Sequence, residues 1–331
     1  MGSLTLAEAE ALVVSALMRC RTGAENARSV ARALVAAEAD GLKGHGLSRV
    51  PTYGAQAKAG KVDGFATPVL ERRRPGLVAV DAAHGFAFPA LDAAGPALAD
   101  AVASAAVAAA AIRRSHHCGA AGHPVERLAE RGLVALMFAN TPAAIAPWGG
   151  AKPAFGTNPV AFACPLDGRP PLVVDLSLSK VARGNIMAAR QRGERIPQGW
   201  ALDADGQPTT DPAAALAGTM LPFGDAKGTA LALMVELLAA GLTGANFAAE
   251  ASSFLDAEGP PPGTGQLLVA FDPAACAGPG AIARFTVLAA AIEGQPGARL
   301  PGARRLAARE AARRDGLAVA DALLREIAGL G

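Results

Sequence analysis

Apolar residues recur at helical spacing from the start of the chain. Leu12, Val13, Ala16, Leu17 and Cys20 share one face of a segment opened by Thr5 and Glu8, which have capping-box spacing. Thr22 and Gly23 end it, and a second helix is predicted over residues 24–40, burying Val30, Leu34 and Val35 before Gly41 stops it. Further on the pattern changes to short apolar runs bounded by glycine and proline, at 77–80, 134–138, 159–164 and 172–174. These runs read as strands. Helical patterns at 89–112, 125–131, 226–242 and 303–330 lie between and after them. The alternation predicts an α/β or α+β chain with a mixed sheet.

Composition narrows the function classes. Half the residues are hydrophobic (51%) and 18% are charged, which fits a packed globule and excludes a disordered chain. A net charge of +2 over 331 residues gives no broad basic surface, so nucleic acid is not an expected partner. The longest apolar run, 101–112, is shorter than the ~20 residues of a membrane-spanning helix, and no membrane partner is expected. No secretory leader pattern is visible, and the four cysteines lack metal-type or disulfide-framework spacing, so a cytoplasmic location with reduced thiols is expected. No repeat of 20–50 residues is visible.

Phosphate-binding signatures are missing in their usual forms. GPGAIA at 278–283 carries a proline inside the dinucleotide pattern, and the Gly224–Lys227 spacing is wrong for a phosphate loop, so an ordinary Rossmann domain is not expected. The acidic stretch 203–211 lacks the closing glutamate of a calcium loop and reads as a solvated turn. Among the five histidines, His116, His117 and His123 lack zinc-type spacing, no metal is expected, and His84 reads as a turn residue. His45 differs. It stands between Gly44 and Gly46 on backbone that a ligand can approach, and Arg49 follows four residues later. A proton donor beside a fixed cation suits a carboxylate substrate with a protonatable centre.

A series of short motifs extends over nearly the whole chain: ADGLKGHGLSR at 39–49 with Tyr53, SHHCGAAG at 115–122, NTP at 140–142, FGTNP at 155–159, VDLS at 174–177, ARG at 182–184, LPFGDAKG at 221–228, the stretch 236–247 and RLPGARR at 299–305. In this order they resemble the malate/L-lactate dehydrogenase-like oxidoreductases, and most of all the delta-1-pyrroline-2-carboxylate and delta-1-piperideine-2-carboxylate reductases. The resemblance implies a non-Rossmann α/β fold with a mixed sheet, a helical N-terminal region and a discontinuous substrate domain. Its expected parts are an N-terminal substrate region (1–75), a linking part (76–115), an NAD(P)-binding domain (116–270) and a C-terminal return to the substrate domain (271–331). A homodimer is implied too.

By the same resemblance His45 is the proton donor, while Arg49 and Thr157 hold the substrate carboxylate. The implied cofactor positions are His117, Cys118, Gly119, Ala120, Ala121, Asp175, Leu176, Ser177, Arg183, Gly184, Ala226, Lys227, Arg299, Leu300, Pro301, Gly302, Ala303, Arg304 and Arg305. The cations among them favour NADPH over NADH. The expected reaction is reduction of a cyclic 2-imino acid to L-proline or L-pipecolate, with Phe155, Pro147 and Trp148 as a small apolar wall. The alternatives are a 2-hydroxy acid dehydrogenase of malate or lactate type, and a non-catalytic NADP-binding homologue. One departure bears on this choice: the imine-reducing relatives place a serine before the histidine and an aspartate after the alanine-x-glycine stretch, and Gly44 and Asn185 stand there instead.

Overall fold

The structure, a computed structural model, describes residues 2–331. Strand β1 (Gly2–Leu4) leads into α1 (Leu6–Arg19), whose first turn is closed by the reciprocal Thr5–Glu8 capping box. Helix α2 (Ala24–Ala39) packs on it, and after two tight turns α3 (Val50–Ala59) completes a helical layer. Next come β2 (Val69–Arg74), β3 (Leu77–Asp81), α4 (Ala87–Ala105), β4 (Val107–Ser115), α5 (Gly122–Ala129), β5 (Val134–Ala139), β6 (Val160–Leu166) and β7 (Arg169–Leu176). A small excursion holds α6 (Arg183–Arg192), β8 (Ala201–Leu202), β9 (Pro208–Thr209), α7 (Pro212–Ala217) and β10 (Thr219–Met220). Helix α8 (Asp225–Glu236) runs on into a π turn at Leu237–Gly241, followed by β11 (Thr264–Phe271), α9 (Pro273–Ala277) and α10 (Ala281–Glu293). The chain ends with α11 (Ala303–Asp315), β12 (Leu317–Val319) and α12 (Asp321–Ala328).

Seven strands form one sheet in the order β2-β3-β4-β11-β5-β6-β7, antiparallel throughout except for the β3–β4 pair. This is the mixed sheet that the apolar runs predict. The alanine-rich run at 101–112 is not one helix, however. The chain turns at Ala106, in the left-handed region at φ +61°, and residues from Val107 onward form the strand beside central β11. Burial on both faces overrides alanine's helix propensity: Ala108, Ala110 and Ile112 enter the core under α4 and α5, while Ala109 and Ala111 face the core under α8. The C-terminal pattern at 303–330 is likewise interrupted, because Gly316 takes φ +81° and β12 intervenes. That strand pairs with β1, so both chain ends close on one helical core, where Ala312, Leu317 and Ile327 join Val13, Leu34 and Tyr53. The stretch 203–211 is a turn, with the Asp203 carboxylate accepting from the Asp205 and Gln207 amides between β8 and β9.

A buried ion-pair network fastens this end-to-end core to the sheet. Asp40 at the end of α2 accepts from Arg309 of α11 at 2.7 and 2.9 Å and meets His123 Nε2 at 2.9 Å. Glu126 of α5 accepts from Arg309 at 2.8 Å and from Arg305 at 3.0 Å. Burial alone raises the Asp40 pKa, but the hydrogen bonds from His123 and Arg309 outweigh it and hold the carboxyl at about 2. Replacing Arg309 by methionine strands two buried carboxylates. The expected loss is about 3 kcal/mol of unfolding free energy, at the low end for a broken buried pair because His123 and Arg305 remain. Urea denaturation at pH 7 measures it, and a loss below about 1 kcal/mol contradicts the network's role.

Candidate active site

The residues between Asp40 and Val50 fold into two single turns, and Glu38 determines their path. Its carboxylate, buried in α2, accepts the Leu47 amide at 2.9 Å. Burial raises the Glu38 pKa, and the Leu47 amide opposes that shift. A side chain at Gly46 would run into Glu38, so only glycine lets the loop come this close. The loop presents His45 and Arg49 together, with Arg49 Nε donating to the Gly44 carbonyl at 2.7 Å. A Cβ at Gly44, by contrast, would meet nothing within 4 Å.

His45 lies face to face with His117, ring centroids 5.3 Å apart and planes 12° apart. His45 Nδ1 is buried and has no hydrogen-bond partner among the described residues, which leaves Nε2 as the nitrogen available to a ligand. Desolvation, and then the charge of Arg49, lower the His45 pKa to about 4. Next to it His116 is enclosed edge-on by Tyr53, Phe86 and Phe254, with neither ring nitrogen bonded, and burial lowers its pKa to about 3. His117 is held well below its ordinary value by burial and by Arg49. Three neutral imidazoles therefore stand beside one guanidinium. Phe254 is carried by a loop anchored to α3, where Gln56 and the buried Lys61 donate to the Asp256 carbonyl at 2.9 and 3.2 Å.

Thr157 is positioned from another direction. Its amide donates to Thr141 Oγ1 at 2.9 Å, and the two hydroxyls are 3.3 Å apart, so its direct partner is Thr141 rather than His45 or Arg49. Behind both, the buried Glu236 carboxylate accepts from Asn140 at 3.2 Å, from Asn158 at 2.8 Å and from the Ala248 amide at 2.6 Å. Asn158 sits in the left-handed region at φ +40°, a conformation that these bonds hold. Periodicity gave no sign of Glu236 as a hub, because its two asparagine partners lie 96 and 78 residues away.

Several of the residues expected to hold a cofactor are brought together by the fold. Asp175, at the end of β7, accepts the Gly122 amide at 2.8 Å where α5 begins, and burial raises its pKa. A side chain at Gly122 would crowd both Asp175 and Arg305, so glycine closes this junction. Ser177 lies 3.1 Å from Ser179, whose strand-like pairing with Pro222 leads to Ala226 and Lys227 at the start of α8. Gly302, at φ +85°, turns the 299–305 stretch against the Val173 carbonyl. Arg299, Arg304 and Lys227 are exposed cations. Arg305 is engaged within the protein by Glu126, so its charge is already matched. Arg183 has no carboxylate partner among the described residues, its Nε is buried and unbonded, and desolvation lowers its pKa. An unmatched, half-buried guanidinium is a fitting receptor for a phosphate. Of the expected apolar wall, Phe155 packs near Leu178, whereas Trp148 stands exposed with its amide on Thr229.

The unbonded His116 ring makes the fold acid-sensitive. The unfolded chain binds a proton there as pH falls through about 6.5, while the folded ring stays neutral until about 3, so stability falls between those values. His116→Phe is expected to remove about 2 kcal/mol of the stability difference between pH 7 and pH 5, read from urea midpoints. An unchanged difference contradicts the assignment.

Comparison with known proteins agrees with the fold. The malate/L-lactate dehydrogenase family matches residues 4–328. A (2R)-3-sulfolactate dehydrogenase (NADP(+)) of Chromohalobacter salexigens is 53% identical, covering 92% of this chain and 91% of its own. A delta(1)-pyrroline-2-carboxylate/delta(1)-piperideine-2-carboxylate reductase of Pseudomonas syringae pv. tomato is 44% identical, covering 93% and 91%. The crystal structure of delta1-piperideine-2-carboxylate reductase from Pseudomonas syringae pv. tomato superposes with a TM-score of 0.94 at 41% identity, covering all of both chains. Among the described residues no helix is long and apolar enough to cross a membrane. The chain belongs to the malate/L-lactate dehydrogenase family and is an oxidoreductase.

Proposed function

We propose that the chain interconverts a small 2-oxo acid and its 2-hydroxy acid, with 3-sulfopyruvate and 3-sulfolactate as the preferred pair. The observation that carries this reading is the unsupported His45: Nδ1 has no partner, Gly44 has no hydroxyl to offer, and Asn185 has no charge. An imine substrate must be kept protonated, whereas a carbonyl needs only one proton delivered to its oxygen. The sulfolactate dehydrogenase at 53% identity supports the same choice of substrate.

In this reading Arg49 grips the carboxylate with two parallel N–H donors and Thr157 adds a hydroxyl. NADPH, when bound, supplies a hydride to C2, and His45 Nε2 supplies the proton to the oxygen. Arg49 helps keep His45 neutral in the free protein; a bound carboxylate offsets that cation, so His45 gains its proton as the substrate arrives. Arg183, Lys227, Arg299 and Arg304 would hold the phosphates of the cofactor, and Asp175, fixed by the Gly122 amide, would orient it.

A second reading, reduction of cyclic 2-imino acids, draws on the close superposition with the piperideine-2-carboxylate reductase. We also infer self-association. Phe223, Leu231, Met234, Leu237, Leu242 and Phe247 are exposed along α8 and the segment after it, beside Ala226 and Lys227. Such an apolar face is characteristic of a subunit contact.

NADPH oxidation followed with 3-sulfopyruvate, pyruvate, oxaloacetate and delta-1-piperideine-2-carboxylate tests the substrate. The oxo acids are expected to give the higher kcat/KM, rising as pH falls from 8 toward 5 because the small protonated fraction of free His45 grows until pH nears about 4. The paired change Gly44→Ser with Asn185→Asp is expected to raise imine reduction at least tenfold, and an imine preference in the parent chain overturns the reading. Leu237→Glu tests assembly: light scattering is expected to show the parent as a dimer and the variant as a monomer, and a monomeric parent contradicts the proposed interface.

A further inference from the structure

Tyr53 is buried completely, yet its hydroxyl lies 2.6 Å from His117 Nδ1. Its ring is fixed by Phe86, Phe88 and His116, at centroid distances of 5.6, 6.4 and 5.3 Å, so the hydroxyl has one direction to point. Burial pushes the Tyr53 pKa upward, and the phenol keeps its proton at every working pH. Burial also keeps His117 neutral. His117 Nδ1 is the only hydrogen-bond partner of the buried Tyr53 hydroxyl among the described residues, and a buried O–H left without an acceptor is costly, so the phenol donates, Nδ1 accepts and the ring's single proton resides on Nε2. Among the described residues His117 Nε2 makes no hydrogen bond, and it is not fully buried as the unbonded His116 nitrogens are. It is therefore the nitrogen left for a ligand, on a ring stacked at 5.3 Å against His45.

We propose that Tyr53 is a positioning residue that locks His117 as the Nε2–H tautomer, so that His117 offers a fixed hydrogen-bond donor beside His45 to the oxygen of the reacting carbonyl. The inference rests on the oxo-acid reading in its last clause only. A neutral donor polarises the carbonyl while hydride arrives and surrenders no proton, leaving proton delivery to His45. It also makes up for what Gly44 lacks: His45 needs no hydroxyl at Nδ1 to be oriented when a stacked, tautomerically fixed neighbour holds its plane.

The test uses the full-length protein with ¹⁵N-labelled histidine and the Tyr53→Phe variant, which keeps the buried ring and loses the donor. Long-range ¹H–¹⁵N spectra of the parent, with His117 assigned through His117→Gln, are expected to show the pure Nε2–H form unchanged from pH 5 to 9. Tyr53→Phe should populate both tautomers, lower kcat for the oxo acid about tenfold or more, and leave the NADPH Kd within twofold. A parent His117 protonated on Nδ1, or tautomers unmoved by Tyr53→Phe, overturns the inference whatever the substrate. Changed tautomers with unchanged kcat overturn the donor role. Should the parent reduce imines and no oxo acid, the function reading and the donor role both fall, while the tautomer lock is decided separately by the spectra. A variant that fails to fold is replaced by the parent spectra alone, which decide the tautomer.

Discussion

Asp40, Glu126 and Arg309 bind together three parts of the chain that have no sequence proximity. Asp40 ends α2 and begins the loop that carries His45; Glu126 lies on α5, just after the His116–Ala121 segment; Arg309 lies on α11, just after the 299–305 stretch. Two acids and a forked guanidinium in a buried place are stable only when all the hydrogen bonds are made together. The network therefore holds the His45 loop, the His116–Ala121 segment and the 299–305 stretch in one arrangement. His123 and Arg305 complete it from the side that faces Asp175.

Around that fastening, the site is an electrostatic contrast. Arg49 stands beside imidazoles that burial keeps neutral, while the buried carboxylate of Glu236 is enclosed by amide donors. The arrangement attracts a carboxylate without offering it a competing ion partner. In the proposed reaction, the protonation of His45 depends on whether Arg49 is occupied by a carboxylate.

Much of this was legible in the sequence, and the illegible part has a physical pattern. The capping box, the first two helices and four of the strands follow from spacing, because local periodicity carries them. The alanine run at 101–112 misled because alanine is the best helix former, whereas a strand covered on both faces also needs small apolar residues; only the tertiary partners tell the two apart. His45 and Arg49 stood out by their glycine-flanked loop. Tyr53, Glu236 and the Asp40 network did not, since each side chain is ordinary by itself and acquires its role from partners many residues distant. Arg305 is expected from the sequence to contact a phosphate, and its partner in the structure, Glu126, lies 179 residues away and was not legible there.

The most direct measurement of the central claim is a crystal structure of the chain with NADP and 3-sulfolactate. The account predicts the carboxylate paired with Arg49 and Thr157, and the 2-oxygen within hydrogen-bond reach of Nε2 of both His45 and His117. A carboxylate bound elsewhere, or a 2-oxygen out of reach of His45, contradicts it.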